Sequence, residues 1–561
     1  MFDVTDFQNT PHQSRLGLAL SGGGFRAALF HIGILAKLAE LDVLKRVAFI
    51  STVSGGSIIG AYYYLKVKQL LEGQRADGLL PSKVAYIQLV QELEVEFLQA
   101  VQKNIRMLTF IDRRKNARMM REGYSPTDRL AELYTQYMYG PLYGSERLLL
   151  KELPINPVSF PDQESYATPT LVINSTALNT GHLWQFTGSF VGEEETAQYE
   201  RHHSAMPLLP KLYFDSDTLN ARQRIKLNTI TLGQAVAASC CVPGLFEPLS
   251  LDHLYETEEG KDIVVRLVDG GVFDNQGLVS LFKANCTHII CSDASDLLKT
   301  DPAPSPQLVN VAVRANEILM SRIRGTILDE LFDRPLTNTA FFHLGDPEGQ
   351  RIFPVDAPAF VQALSHIRTD LDSFTDREAY SLMYYGYRLC EEKLADSASE
   401  TGKWRFQTIE AWLTDNVKRQ ELLLHLTVGA KPFFKVFFLH RYRPFVLVLS
   451  ALLPTALILG GAGLYGLSFL PAWANGMLAL LVLSGLAYSQ NARINIWLDR
   501  FDLIRRNRRR LALAMTPLGI PTVVGMVGAV VTHLHLHIFD RLFLRYGRLD
   551  HSNPAKPLNA E

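Results

Sequence analysis

Apolar positions follow two regimes along this chain. Up to about residue 320 they come in short runs separated by helical stretches, and beyond residue 445 they dominate uncharged stretches of 20 residues or more. In the first regime Leu16–Ser21 is a short apolar run that reads as a buried strand. It breaks at Gly22, Gly23 and Gly24, and Ala27–Leu41 then reads as a helix. Val47–Val53 is β-branched and aromatic, the pattern of a second strand, and Ser57–Leu71 is an apolar, tyrosine-rich helix. One strand–helix–strand unit of this length implies parallel neighbours. Gly22–Gly24 and Ser54 then share the C-terminal edge of the sheet, where such folds bind ligands. Ile263–Val268 reads as a further strand that ends on Asp269. Residues 62–153 read as a charged, mostly helical insert, with Ser125-Pro126-Thr127-Asp128 as a helix start. Such an insert between core strands reads as a lid or a plain helical cap. Residues 354–428 read as helical again.

Three junctions of this pattern carry candidate chemistry. The glycine loop places backbone N–H groups at a helix N-terminus, a site suited to an anion. Its glycines are contiguous, so it fits the dinucleotide pattern G-x-G-x-x-G poorly. Ser54 sits at a strand-to-helix junction with Gly55 and Gly56 behind it, the layout of a nucleophile elbow. The usual G-x-S-x-G reads here Thr52-Val53-Ser54-Gly55-Gly56, and Thr52 is expected to crowd the turn. Asp269 precedes Gly270 and Gly271; by itself it reads as a turn residue, and beside the other two junctions it reads as a base.

The segments LALSGGGFRAALF, FISTVSGGSIIGAYYYL and VVRLVDGGVFDNQGL, in that order and without an obvious histidine partner, resemble the patatin-like phospholipases. LVINSTALNTGHLWQF and AVAASCCVPGLFEPL add to the likeness, which covers about residues 15 to 320. The resemblance implies an α/β three-layer sandwich with a largely parallel central sheet. It also implies a serine–aspartate dyad that hydrolyses lipid esters, with Ser54 as nucleophile and Asp269 as its base. Backbone N–H groups of Gly22, Gly23 and Gly24 would form the oxyanion hole. Arg26 would position that loop or a phosphate headgroup. No metal or organic cofactor is implied.

Two rival readings differ in class. An α/β-hydrolase would place a histidine after the acid, and His288, His343, His366 and His425 follow Asp269. None lies in a recognisable motif, and His288 and His31 read as structural. A catalytically inactive membrane scaffold with the same fold is the other reading, and Thr52 is its best support.

Charge changes the picture at the C-terminus. The chain carries a net charge of −1, yet residues 431–561 hold 15 Lys and Arg against 5 Asp and Glu. The 23 uncharged residues 445–467 are long enough to cross a bilayer of roughly 30 Å. Residues 472–491 form a second uncharged stretch beyond Pro471, and 511–532 a third, broken by Pro517 and Pro521. Lys431, Lys435, Arg441 and Arg443 precede the first stretch, and Arg493, Arg500, Arg505, Arg506 and Arg508–Arg510 follow the second. Both ends of this hairpin are expected to face the cytoplasm. The arginine cluster beside a span favours anionic headgroups over nucleic acid. His533, His535 and His537 alternate with leucines and read as an interfacial amphipathic segment rather than a metal site. The five cysteines show no metal-like spacing and suit a reducing compartment, and the polar opening MFDVTDFQNTPHQSR does not read as a signal peptide. The expected organisation is therefore a catalytic domain over 1–385, a helical linker over 386–443 and transmembrane helices within 444–561. Its partners would be a membrane phospholipid substrate and the lipid bilayer, with the catalytic domain on the cytoplasmic side of a multi-pass membrane protein.

Overall fold

Strand β1 (Leu16–Leu20) is buried at every position, as a strand covered on both faces must be. It pairs in parallel with β2 (Val47–Val53) on one side and with β9 (His288–Asp293) on the other. The computed structural model describes residues 15–439 and 532–549, apart from 120–122, 146, 195–208, 299, 335–337, 347–351, 353–356 and 395–401. Between these strands the chain forms β3 (Thr170–Ala177), β4 (Leu183–Phe186), β5 (Phe190–Glu193), β6 (Leu212–Tyr213), β7 (Leu249–Glu256) and β8 (Asp262–Asp269). With β10 (Asn338–His343), the sheet order is β10-β9-β1-β2-β3-β4-β5-β6, and β8 joins β3 and carries β7. The five strands from β10 to β3 are mutually parallel, so the centre of the sheet has the parallel α/β form expected.

Side chains of alternate strand residues enter two separate cores. Leu16, Leu18, Leu20 and Ile290 face the larger one, and Ala19, Ile289 and Cys291 face the smaller. Helices α1 (Gly24–Glu40), α2 (Gly55–Leu71) and α3 (Lys83–Val101) fill the first, and α8 (Leu278–Lys283) with the end of α9 (Leu308–Asp333) fills the second. This gives three layers. The expected insert is helical, with α4 (Ile105–Ile111), α5 (Arg113–Met119) and α6 (Pro126–Tyr134) after α3. It is not a separate lid: α3 buries Ala85, Tyr86, Leu89, Leu93 and Phe97 in the main core. The helix start read at Ser125 is a capping box, with the Ser125 hydroxyl and Asp128 each accepting the other's backbone N–H.

The boundary expected at residue 385 falls inside a helix. After α10 (Ala357–Ser365), α11 (Asp376–Lys393) runs through it and packs along α1, burying Leu382, Met383 and Tyr385. Helices α12 (Thr408–Thr414) and α13 (Asn416–Gly429) follow. The chain divides into one compact unit of residues 1–432 with 544–561 and a second of 433–543. Residues 386–432 thus lie in the same compact unit as the sheet, because the hydrophobic face that begins at residue 376 continues past residue 385. The uncharged stretches 445–467, 472–491 and 511–532, together with Arg441, Arg443 and Arg493–Arg510, lie outside the described residues, Thr532 apart. Among the described residues no helix is long and apolar enough to cross a membrane. In the second unit, His535 is buried in a helical turn with Nε2 3.2 Å from Asp540. Among the described residues no group of three or more His, Cys, Asp or Glu side chains is placed to hold a metal.

Candidate active site

Register brings the three predicted junctions together. Leu20 of β1 lies beside Thr52 of β2, so the glycine loop and Ser54 leave the sheet side by side. Strand β3 is longer than β2: residues up to Asn174 pair with β2, and Ser175, Thr176 and Ala177 pair along the same edge with β8. Strand β8 is antiparallel and stops at Asp269 opposite Ser175. Strands β2 and β8 therefore meet end to end along β3, with Ser54 and Asp269 in the gap.

Ser54 adopts φ 48° and ψ −120°, a conformation that a non-glycine residue holds only when its surroundings enforce it. The enforcing contacts are visible. The Ser54 N–H donates to the Ser239 hydroxyl at 2.9 Å, and Ser239 donates to the Asn174 carbonyl at 2.6 Å. The Gly56 N–H donates to Ser21 O at 3.1 Å. A Cβ on Gly55 would stand 2.0 Å from Gly24 O, so only glycine lets the elbow press against the loop. Thr52, expected to crowd the turn, does not. Its methyl occupies the space left by the missing side chain of Gly60, where a Cβ would come within 2.4 Å of it. The Thr52 hydroxyl donates to Val172 O at 3.1 Å and accepts from Ser57 at 3.0 Å.

The acid lies in a low-dielectric setting. Burial pushes the Asp269 carboxyl up to about 6, against the hydrogen bonds it accepts from the Gly271 N–H, at 2.8 Å, and from the Ser54 hydroxyl. A carboxylate near neutrality beside a serine hydroxyl is suited to general-base work. The Cys240 thiol also hydrogen-bonds near Ser54, but burial and the Asp269 charge hold it protonated, so it is not a competing nucleophile. The N–H groups of Gly23, Gly24 and Gly55 find no acceptor among the described residues, whereas that of Gly22 donates to Asn275 O at 2.9 Å. The free donors thus come from the second and third glycines of the loop and from the elbow. Gly22 serves to fix the loop, against the expectation that all three glycines donate to an oxyanion.

Residues 18–281 match the patatin-like phospholipase family. No curated protein matches the chain. Among solved structures it is similar to human GIVD cytosolic phospholipase A2, with 13% identity, TM-score 0.38 and coverage of 75% of this chain and 62% of that one. The complex of that enzyme with methyl gamma-linolenyl fluorophosphonate gives 15% identity, TM-score 0.36 and coverage of 76% and 62%. VipD from Legionella pneumophila gives 13% identity, TM-score 0.20 and coverage of 74% and 84%. The chain spans about 62% of the length of the human enzyme.

The other residues singled out in the sequence are held by the fold itself. Arg26 is buried, and its guanidinium donates to Asp296 at 2.8 Å and to the carbonyls of Ala294, Ser365 and Ile367 at 2.7–3.0 Å. These bonds tie the start of α1 to the chain beyond β9 and engage both terminal nitrogens of the buried guanidinium. His31 is buried with Nε2 3.0 Å from Ser21 O and Nδ1 2.6 Å from the Ser292 hydroxyl, and burial lowers its pKa to about 4. It is a neutral strut under the loop, as a structural reading requires. His343 binds Ser295 O and the Gly345 N–H, and His425 the Thr375 hydroxyl. The bonds described at the Asp269 carboxylate come from Gly271 and Ser54.

Several residues that build the site escape a sequence reading. Asn275 fixes Gly22 through its carbonyl, and its Oδ1 would meet a Cβ on Gly22 at 2.3 Å. Ser239 supports the elbow from within AVAASCCVPGLFEPL, where nothing in the local pattern marks one serine as a support. Asp293 ends β9 as a fully buried carboxylate, with Arg324 donating to it at 2.8 and 3.0 Å from a helix 31 residues away.

Proposed function

We propose that this protein hydrolyses fatty-acyl esters of membrane lipids, in the manner of a phospholipase A or lysophospholipase, through Ser54 and Asp269. The observation that carries the reading is the end-to-end meeting of β2 and β8, which brings the strained Ser54 beside a buried aspartate near neutrality. Asp269 takes the hydroxyl proton as Ser54 Oγ attacks the acyl carbonyl, and an acyl-enzyme forms as the alcohol leaves with that proton. The N–H groups of Gly23, Gly24 and Gly55 stabilise the tetrahedral oxyanion. Water, deprotonated by Asp269, then releases the fatty acid. The family match over residues 18–281 supports the substrate class. The uncharged stretches beyond residue 444 and their basic flanks support a membrane anchor with the catalytic domain on the cytoplasmic side.

Ser54→Ala tests the reading. Ester hydrolysis and labelling by a fluorophosphonate probe should both disappear while circular dichroism stays that of the wild type. Near-normal turnover by the alanine form would move the nucleophile elsewhere. Lipid profiles of cells making wild type or Ser54→Ala would show which lipid class changes. A wild-type protein that neither labels nor hydrolyses any ester would favour the inactive scaffold.

A further inference from the structure

The glycine loop does not set its own shape. Gly23 and Gly24 hold φ 138° and 58°, and a residue without a side chain loses more freedom on ordering than any other. Neighbours must fix such a loop, and two grip it at opposite ends. At one end Asn275 O accepts the Gly22 N–H. At the other, the Phe25 N–H donates to Asp370 O at 3.1 Å. Phe25 lies in the first turn of α1, where N–H groups lack partners within the helix, and Gly23 ahead of it has no side chain to cap them. The packing is as close as the bond. A Cβ on Gly24 would stand 2.9 Å from both Asp370 N and Asp370 O.

Asp370 lies well beyond residue 281, where the family match ends. Residues 366–375 join α10 to α11 without helix or strand, so side chains must hold them in place. Three arginines do so. Arg26 donates to Ser365 O and Ile367 O, and Arg368 to Asp372 and Ser373 O. Arg106 of α4 grips Asp370 itself. Its guanidinium donates to the Asp370 carboxylate and, at 2.8 Å, to Pro432 O, while its backbone N–H donates to Leu371 O at 3.1 Å. A hydrogen bond between two charged groups is stronger than a neutral one, and this pair is mostly shielded from water, with its side chains 17% and 19% exposed.

We infer that Arg106 and Asp370 are positioning residues of the oxyanion loop. Their ion pair fixes the Asp370 backbone, and that backbone fixes Gly24 and the start of α1. The inference rests on the proposed ester hydrolysis and gives the helical insert, through Arg106, a part in it. An N–H group stabilises an oxyanion only when it already points to where the charge forms, and a misplacement of about 1 Å is enough to cost about a hundredfold in rate.

Arg106→Ala in the full-length protein tests it, with p-nitrophenyl butyrate as substrate and butylboronic acid as inhibitor. Ser54 Oγ bonds to boron while its proton passes to Asp269, and the tetrahedral boronate anion imitates the intermediate. The variant should lose about 10–100-fold in kcat at unchanged KM, and its affinity for the boronic acid should fall by the same factor. Arg106→Lys keeps the charge without the fork that also reaches Pro432, and should fall between the two. A variant that merely has fewer active sites, with kcat per fluorophosphonate-titrated site and boronic-acid affinity unchanged, would overturn the inference. So would wild-type turnover. Asp370→Asn, which keeps the shape and removes the ion pair, puts the same question if the alanine form does not fold, and should shift kcat and boronic-acid affinity in the same direction.

Hydrogen exchange reads the loop without relying on turnover. The Phe25 amide should exchange about tenfold or more faster in Arg106→Ala than in wild type, while the amides of β1 keep their rates. Equal exchange at Phe25 would also overturn the inference. If wild type neither labels nor cleaves an ester, the hydrolase reading fails, and the exchange rates still decide whether the ion pair holds the loop.

Discussion

Asp269 and Asp293 are both buried, both end a strand of the same sheet, and are held at opposite ends of the carboxylate range. Among the described residues no cation acts on Asp269, and burial carries it up to about 6. Burial acts on Asp293 as well, but His343, Arg324 and the Ser295 N–H outweigh it and hold it down at about 2. Burial keeps His343 itself low, so the fixed charge in that group is the Arg324 guanidinium. The difference is one of partners, not of depth. A carboxylate given a permanent cation becomes a strut that stays ionised and cannot take a proton. One given a backbone N–H and a serine hydroxyl keeps a proton affinity useful near neutral pH.

The pH dependence of hydrolysis should separate the two first and most widely. Proton transfer needs Asp269 ionised, so turnover of a soluble ester should fall about tenfold for each pH unit below about 6. No inflection should come from Asp293, which stays charged throughout that range. A rate that is flat from about pH 4 to 8 would remove Asp269 as the base.

Removing the charge of the strut should act on stability. The Asp293 contribution is present above the ordinary carboxylate range and is lost as pH falls through about 2. Asp293→Asn strands the Arg324 guanidinium and should cost about 3 kcal/mol near neutral pH, read from urea unfolding. Adding Arg324→Met should recover part of the loss. A harmless Asp293→Asn would show that the pair does not anchor α9.

The smallest expected effect concerns Thr52. Thr52→Gly restores the common motif but empties the space beside Gly60 and removes two hydrogen bonds. It should destabilise by about 1–2 kcal/mol without raising turnover. A large gain in rate would mean that the threonine does strain the elbow.

The sequence shows the parts of this site better than their supports. Gly22–Gly24, Ser54 and Asp269 can be read because each sits where a strand pattern stops, and local pattern marks strand ends. Even so, both helices begin two or three residues earlier than their side chains suggest, at Gly24 and Gly55, because glycines that pack against one another continue the helix without an apolar signature. Ser239, Asn275 and the Asp293–Arg324 pair act across 31 to 253 residues of chain, and no local period encodes such contacts. For Arg26, read as positioning the glycine loop or a phosphate headgroup, the sequence leaves both open for the same reason. An arginine after a glycine loop suggests an anion, and only the fold shows that four protein oxygens already bind its two terminal nitrogens. The boundary read at 385 falls inside α11, which is amphipathic on both sides of that residue.

The central claim is that Asp269, rather than a histidine, is the base for Ser54, and Asp269→Asn tests it most directly when rate and stability are read on one sample. Asparagine can still accept the Gly271 N–H but cannot take the serine proton. Labelling of Ser54 by a fluorophosphonate at about pH 8 should slow by about 10²–10⁴-fold. The folded state holds its proton at Asp269 more tightly than the unfolded chain does, so the wild type loses stability as pH rises from about 4 to about 6. The uncharged asparagine escapes that loss, and the variant should melt at or above the wild-type temperature at pH 8. A labelling rate near wild type in Asp269→Asn, with a comparable loss instead from a single histidine substitution, would contradict the account.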